Sequence, residues 1–253
     1  MVRGFYEIGS GMMANQKLID TIANNIANAN TAGYKAQESV TVPFDEMLTY
    51  RLGTTETGAD HATPLYDRSW INVVSDTVTN FDQGPLKLTE RPLDFGITGK
   101  GFFQIKTKSG QIGYTRNGSF DLDEEGYLYL TGAGRVQGPN GDIFIGTDNI
   151  ITGSNGEIYN ADTDQYYGKI ALYDFEDYGN LVEFNNNMYK TTETPFVSNA
   201  EVRNYRYESS NIDLAEEITS AMRTENLIQS QANILQMYAD VLKDGTQRIS
   251  AIK

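Results

Sequence analysis

The sequence has no cysteine and a single histidine, His61. The first absence removes disulfides, thiolate zinc sites and cysteine nucleophiles together. The second removes His-rich metal centres and paired-imidazole chemistry. No apolar run approaches the ~20 residues that a membrane-spanning helix needs, and mean hydropathy is −0.45. Basic residues are also scarce, 20 Lys and Arg against 34 Asp and Glu, for a net charge of −14. So acidic a surface repels phosphate backbones, which excludes nucleic acid as a partner. Behind Arg3, the residues Gly4, Glu7, Gly9, Ser10 and Gly11 interrupt any apolar stretch, so the opening segment does not read as a secretory signal.

What is present is 253 residues rich in Tyr (16), Phe (11) and Gly (24). That length builds a core without covalent staples. Charge is unevenly spread: residues 1–36 carry three basic and two acidic residues, and 208–253 carry four and seven. The acidity therefore lies in the middle, as suits a solvent-facing body between ends that pack against something.

Both ends have helical period. Phe5, Ile8, Met12, Ile19, Ile22, Ile26 and Ala29 recur at three- and four-residue steps with Asn15 as the one polar member, and Gly33 supplies the stop. Leu214, Ile218, Ala221, Ile228, Ala232, Leu235, Ala239, Leu242 and Ile249 make a longer stripe, with Leu227, Ile234, Tyr238 and Val241 as a second one beside it. Ser210, Asn211 and Asp213 offer caps. One stripe needs one neighbour and two need at least two. A helical pair folded on itself and helices that meet other copies of the chain both satisfy this.

From about Pro92 to Pro195 the period becomes two. Phe102–Lys106, Gly113–Thr115, Ser119–Leu122, Tyr127–Leu130, Ile143–Ile145, Lys169–Tyr173, Leu181–Phe184 and Met188–Lys190 read as strands separated by Gly, Asn and Asp turns. Such spacing predicts an antiparallel β barrel or sandwich-like domain. Residues 37–90 read as a long, partly extended arm, with a strand at Trp70–Val74 and His61 in a polar loop.

Chemical motifs fail one by one. Asp121, Asp123 and Glu125 before Gly126 imitate half a calcium loop, but Gly132 stands where the closing Glu belongs. Gly99-Lys100-Gly101 lacks the third glycine and the following helix of a dinucleotide loop. The acids sit in turn clusters where water keeps them ionised, unlike a glycosidase pair. We expect no catalytic residue, no metal and no cofactor.

Four stretches carry a resemblance. Asn24-Asn25-Ile26-Ala27-Asn28-Ala29-Asn30-Thr31-Ala32-Gly33-Tyr34-Lys35 comes first, followed by Arg91–Phe103 with its Gly101-Phe102-Phe103 end. Gly113-Tyr114-Thr115-Arg116-Asn117-Gly118-Ser119-Phe120 comes third and Ser210-Asn211-Ile212-Asp213-Leu214-Ala215-Glu216-Glu217 last. In kind and order these resemble the bacterial flagellar basal-body rod and hook proteins, and within them the proximal and distal rod proteins. The family motif then rests on Asn25, Asn28, Gly33, Tyr34, Gly101, Phe102, Phe103, Tyr114, Thr115, Arg116 and Asn211.

The resemblance implies a mixed α and β fold in which long N- and C-terminal helices (1–36 with 213–253) form an inner helical layer of a tube. A linker arm (37–90 with 196–212) and a central β domain (91–195) complete it. It implies a rod subunit and not an enzyme, one that transmits torque and encloses the export channel. Its partners are copies of itself, other rod and hook proteins, and the flagellar type III export apparatus. Its place is the basal body in the cell envelope, or periplasmic space, reached without a cleaved signal peptide and without insertion into a membrane. On that reading Ile8, Met12, Ile19, Ile22 and Ile26, with Leu214, Ile218, Ala221, Ile228, Ala232, Leu235, Leu242 and Ile249, form the assembly interface. A secreted β-rich glycan-binding or carbohydrate-active protein with capping helices is the alternative.

Overall fold

A computed structural model describes the backbone of residues 2–44, 47–54, 60–68, 71–153, 155–185 and 187–250, and the side chains of 4–41, 76–153, 155–185 and 187–247. The chain divides into two units, 1–26 with 37–78 and 214–253, and 27–36 with 79–213. No helix among the described residues is long and apolar enough to cross a membrane.

The first unit holds α1 (Val2–Asn28) and α2 (Leu214–Ser250). Polar side chains join them. Asn15 donates to Gln231 at 3.1 Å and Asn25 to Glu217 at 2.8 Å. Gly4 and Gly11 leave room for Tyr238 and Gln231, which a Cβ would meet at 3.0 and 3.1 Å. Numbers rise along α1 as they fall along α2, so the helices run antiparallel. Their contacts on α2 (Glu217, Gln231, Tyr238) recur at multiples of seven, the period of a straight helical seam. Asn25 also fixes the chain beyond α1, donating to Gln37 O and accepting from Gln37 N at 2.9 and 3.0 Å.

The same unit contains two antiparallel ribbons. Gln37–Phe44 pairs with Ile71–Thr79, and Met47–Thr54 with Asp60–Arg68. The stretch expected as a polar loop around His61 is therefore a strand, in which His61 stands opposite Gly53. Period-two reading missed it because a ribbon hydrogen-bonded on one side needs no buried face to set its alternation. The side chains of His61, Trp70 and the rest of 42–75 lie outside the described residues.

The second unit is antiparallel β. Its ten-stranded sheet runs Val182–Glu183, Met188–Lys190, Ile112–Thr115, Phe102–Thr107, Gly134–Gly138, Leu128–Leu130, Asp121–Leu122, with Gly141–Asp142, Leu172–Asp174 and Phe196–Val197 beside that path. Smaller sheets pair Phe95–Thr98 with Glu201–Asn204, Leu86–Leu88 with Arg206–Glu208, and Ile150–Thr152 with Glu157–Asn160 and Tyr166–Lys169. The expected barrel is corrected here: the sheet does not close. Closure needs its outer strands to pair with matched tilt and stagger. Those strands, Val182–Glu183 and Asp121–Leu122, are two residues long and pair inward only. Ile143–Ile145 keeps the expected in-out burial but makes a single bridge, Phe144 to Tyr127.

The core of this unit joins Phe95, Phe103, Phe120, Leu128, Ile150 and Ile158, all fully buried, with Phe120 edge-on to Phe103 at 5.1 Å. The alternation in Phe102-Phe103 sends the two rings to opposite faces, so Phe102 enters a second, aromatic cluster with Tyr114, Phe175 and Tyr189. Emptying the Phe120 site by Phe120→Ala should lower unfolding free energy by about 3–5 kcal/mol, read from chemical denaturation followed by tyrosine fluorescence.

Candidate assembly site

Segments from both ends of the chain meet inside the second unit. Gly33 N donates to Glu208 O, and Ala36 N to Asn211 Oδ1, each at 2.8 Å. Asn211 Nδ2 reaches Asn80 O and Asp82 O at 3.0 and 3.2 Å, and Ser209 N donates to Pro85 O at 2.9 Å. Three stretches of chain are laced by backbone groups and the Asn211 amide, as buried polar groups require.

A charged knot lies among them. Lys35 Nζ donates to Asp82 O at 2.7 Å and to Glu208 Oε1 at 2.5 Å. The same carboxylate oxygen accepts from Gly84 N at 2.9 Å, and Oε2 accepts from Arg116 Nη1 at 3.0 Å. Lys35, Glu208 and Arg116 are 1%, 1% and 3% exposed, and the Arg116 guanidinium lies 5.2 Å from the centre of the Phe102 ring. Burial pushes the Lys35 ammonium below its ordinary range, against the pull of Glu208 and with the push of Arg116. Two cations share one carboxylate. An arrangement of this kind selects one geometry more than it adds stability, but losing one member strands the others in a dry site.

Gly33 makes the knot possible. Its φ is +68°, and a Cβ there would stand 2.2 Å from Asn117 N. Only a residue without a side chain lets the two backbones touch.

The motif residues separate into groups. Gly33, Tyr34, Arg116 and Asn211 belong to the segments that build the knot; Tyr34 is buried at 4% exposure. Phe102 and Tyr114 line the aromatic cluster, and Phe103 the main core. Thr115 Oγ1 donates to Asn187 O and accepts from Asn117 N. Gly101 has φ +139° against Ser198. Asn28 accepts from the Thr31 hydroxyl, and Asn25 lies in the helical unit. Sequence reading missed Glu208 and Lys35 as site residues. The available signal was their charge type: one lysine directly after Gly33-Tyr34 and one glutamate directly before Ser209-Ser210-Asn211.

Of the stripe residues, Ile22 is buried. Ile8, Met12, Ile19, Ile26, Ala221, Ile228 and Leu235 are half-buried, and Leu214, Ile218, Ala232 and Leu242 are exposed. Ile249 lies outside the described side chains. Asp123, from the calcium-like run, turns its carboxylate to Glu125 N, Tyr127 N and Arg135, as a hairpin turn does.

Glu208→Gln keeps the size of the side chain and removes its charge. Denaturant titration should show about 3–5 kcal/mol lost from the second unit; an unchanged midpoint would make the knot dispensable. In the adjoining aromatic cluster, burial and a 2.7 Å hydrogen bond to the Asp174 carboxylate push Tyr178 up to about 12. An unfolded tyrosine ionises near 10, so its contribution is complete below pH 10 and lost as pH rises through 12. Tyr178→Phe should reduce the fall in stability between those values.

Residues 6–35 match the family described as flagella basal body rod protein, and residues 96–160 the flagellar hook protein FlgE/F/G D1 domain. The chain is 30% identical to the flagellar basal-body rod protein FlgG of Bacillus subtilis, an alignment covering 96% of this chain and 98% of that one. It is 29% identical to FlgF of Caulobacter vibrioides over 96% of each chain. FlgG of Buchnera aphidicola from Schizaphis graminum is 29% identical over 89% of this chain and 91% of its own length. These relatives give no support to a glycan-binding role. With near-complete coverage of relatives that share one name, and with the knot's Gly33 and Lys35 inside the matched rod segment, this chain belongs to the flagellar basal-body rod proteins, structural subunits of the flagellar basal body and not enzymes.

Proposed function

We propose that copies of this chain polymerise into the rod, with α1 and α2 forming an inner helical layer around an export channel. Residues 91–195 form the outer domain, and 37–90 with 196–212 the arm between them. The polymer transmits torque across the cell envelope through the periplasmic space. Its partners are other copies and other rod and hook proteins, and its subunits arrive through the flagellar type III export apparatus without a cleaved signal.

The observation that carries this reading is the apolar face that α2 leaves exposed. Toward α1 the helix half-buries Ile228 and Leu235 beside Glu217 and Gln231, which are hydrogen-bonded across the seam. Other large apolar residues face outward: Leu214, Ile218 and Met222 at four-residue spacing, and Met237 and Val241 likewise, 44–62% exposed. A helix that served only its own subunit would bury those residues and expose the polar ones. Among the stripe residues, Leu214, Ile218 and Leu242 then supply contacts between copies. The half-buried Ile8, Met12, Ile19, Ile26, Ala221, Ile228 and Leu235, with Ile22, hold the pair, and Ala232 and Ile249 continue the outer stripe.

Val241→Asp tests this. Val241 is 62% exposed in the single chain, so the monomer should keep its circular dichroism spectrum. In a polymer the carboxylate would be buried unpaired at several kcal/mol per added subunit, and sedimentable polymer should disappear. Normal polymerisation of the variant would remove α2 from the interface.

A further inference from the structure

Without cysteine, the sulfur chemistry of this chain rests on seven methionines. A thioether is apolar and flexible, which suits a contact surface, and it is also open to oxidation by peroxides. The fold sorts the methionines by access. Met188 lies in the main core of the β unit at 1% exposure, and Met12 is half-buried. Met13 on α1 is 76% exposed, while Met222 and Met237 on α2 are 61% and 58% exposed. The side chains of Met1 and Met47 lie outside the described residues.

Neighbours set the two on α2 apart from Met13. Met222 follows Leu214 and Ile218 at four-residue steps, and Met237 precedes Val241 by the same step. Residues four apart are adjacent on a helix surface, so each thioether belongs to an exposed apolar row. The other members of those rows are aliphatic and offer a peroxide nothing to oxidise. Met13 has Gly9, Ser10, Gln16 and Lys17 at three and four residues from it, and so belongs to no such row.

We propose that Met222 and Met237 are modification sites at which a peroxide controls assembly: as thioethers they let α2 pack against another copy, and as sulfoxides they prevent it. This rests on the polymer reading of α2. In the step, the O–O bond of the peroxide breaks and one oxygen atom bonds to the sulfur. The thioether is oxidised by two electrons, and hydrogen peroxide is reduced to water. The sulfoxide oxygen is a strong hydrogen-bond acceptor, and an apolar contact would bury it without a donor. A free subunit holds both sulfurs in water, whereas a subunit whose rows are covered by a neighbour does not. Oxidation therefore acts on subunits before they add and spares those already in place. Met188 is enclosed, so the β unit stays folded under the same treatment. Methionine sulfoxide reductases, one for each sulfoxide epimer, reverse the change.

Hydrogen peroxide treatment of the full chain, read by site-resolved mass spectrometry and by sedimentation of polymer, tests it. In the monomer Met13, Met222 and Met237 should convert before Met188, with the circular dichroism spectrum unchanged. The treated parent should need about tenfold more protein to assemble, and incubation with both reductases should restore it. Met222→Leu/Met237→Leu nearly conserves side-chain volume. It should assemble like the parent and still do so after peroxide, although Met13 is oxidised. In polymer formed before treatment, Met222 and Met237 should resist the dose that converts them in the monomer; this comparison needs the parent alone and stands even if the leucine variant misfolds. Unchanged assembly of the treated parent, peroxide-sensitive assembly of the leucine variant, or equal oxidation of both methionines in polymer and monomer would overturn the inference and leave the helical polymer standing. A parent that never forms polymer would overturn both.

Discussion

One carboxylate holds together parts of the chain that are far apart in sequence. Glu208 receives Lys35 from 173 positions upstream, Gly84 from 124 and Arg116 from 92, while its own carbonyl accepts Gly33 N. Gly33 and Lys35, which follow α1, and the segments of Gly84 and Arg116 are thereby fixed to one acid. Because the site is dry, each partner depends on the others: taking out the acid leaves two cations without compensation. Gly33 has no side chain because the backbone of Asn117 occupies its place.

The two units spend their apolar surface differently. The β unit buries its aromatics in two clusters on either side of Phe102-Phe103 and is closed to further hydrophobic burial in its interior. The helical unit joins its helices by amides and a carboxylate beside half-buried aliphatic residues, and leaves Met222, Met237 and Val241 in water. Polar contacts within a seam fix helix register at little gain in stability. Buried charge gives the β unit one fixed local geometry, while the helical unit keeps an exposed apolar face.

Much of this was legible from periodicity. The helices followed from three- and four-residue spacing, and the β unit from alternation at Phe102–Lys106 and Tyr127–Leu130, because local period reports which face is buried. Ile143–Ile145 shows the limit: the alternation gave the right burial, but pairing partners are not encoded locally, and it forms one bridge. Sheet closure was not legible for the same reason, since it depends on a pairing between the outermost strands. The ribbon through His61 was missed because its composition is polar. The motif reading reached Gly33, Arg116 and Asn211 but not Glu208, since a lone acid among tyrosines and serines has no period. Its role exists only after the chain brings Lys35 and Arg116 to it.

Hydrogen exchange on the full chain tests the central role of Glu208 most directly. The amides of Gly33, Ala36, Gly84 and Ser209 lie in irregular chain, where exchange is ordinarily fast, yet all four donate into the lacing around Glu208. They should exchange only through global opening of the second unit, at the rate of core amides such as those of Phe103 and Ile105. Exchange of the four by local opening, orders of magnitude faster than the core, would show that the knot is a passive contact and that the ends of the chain are held by something else.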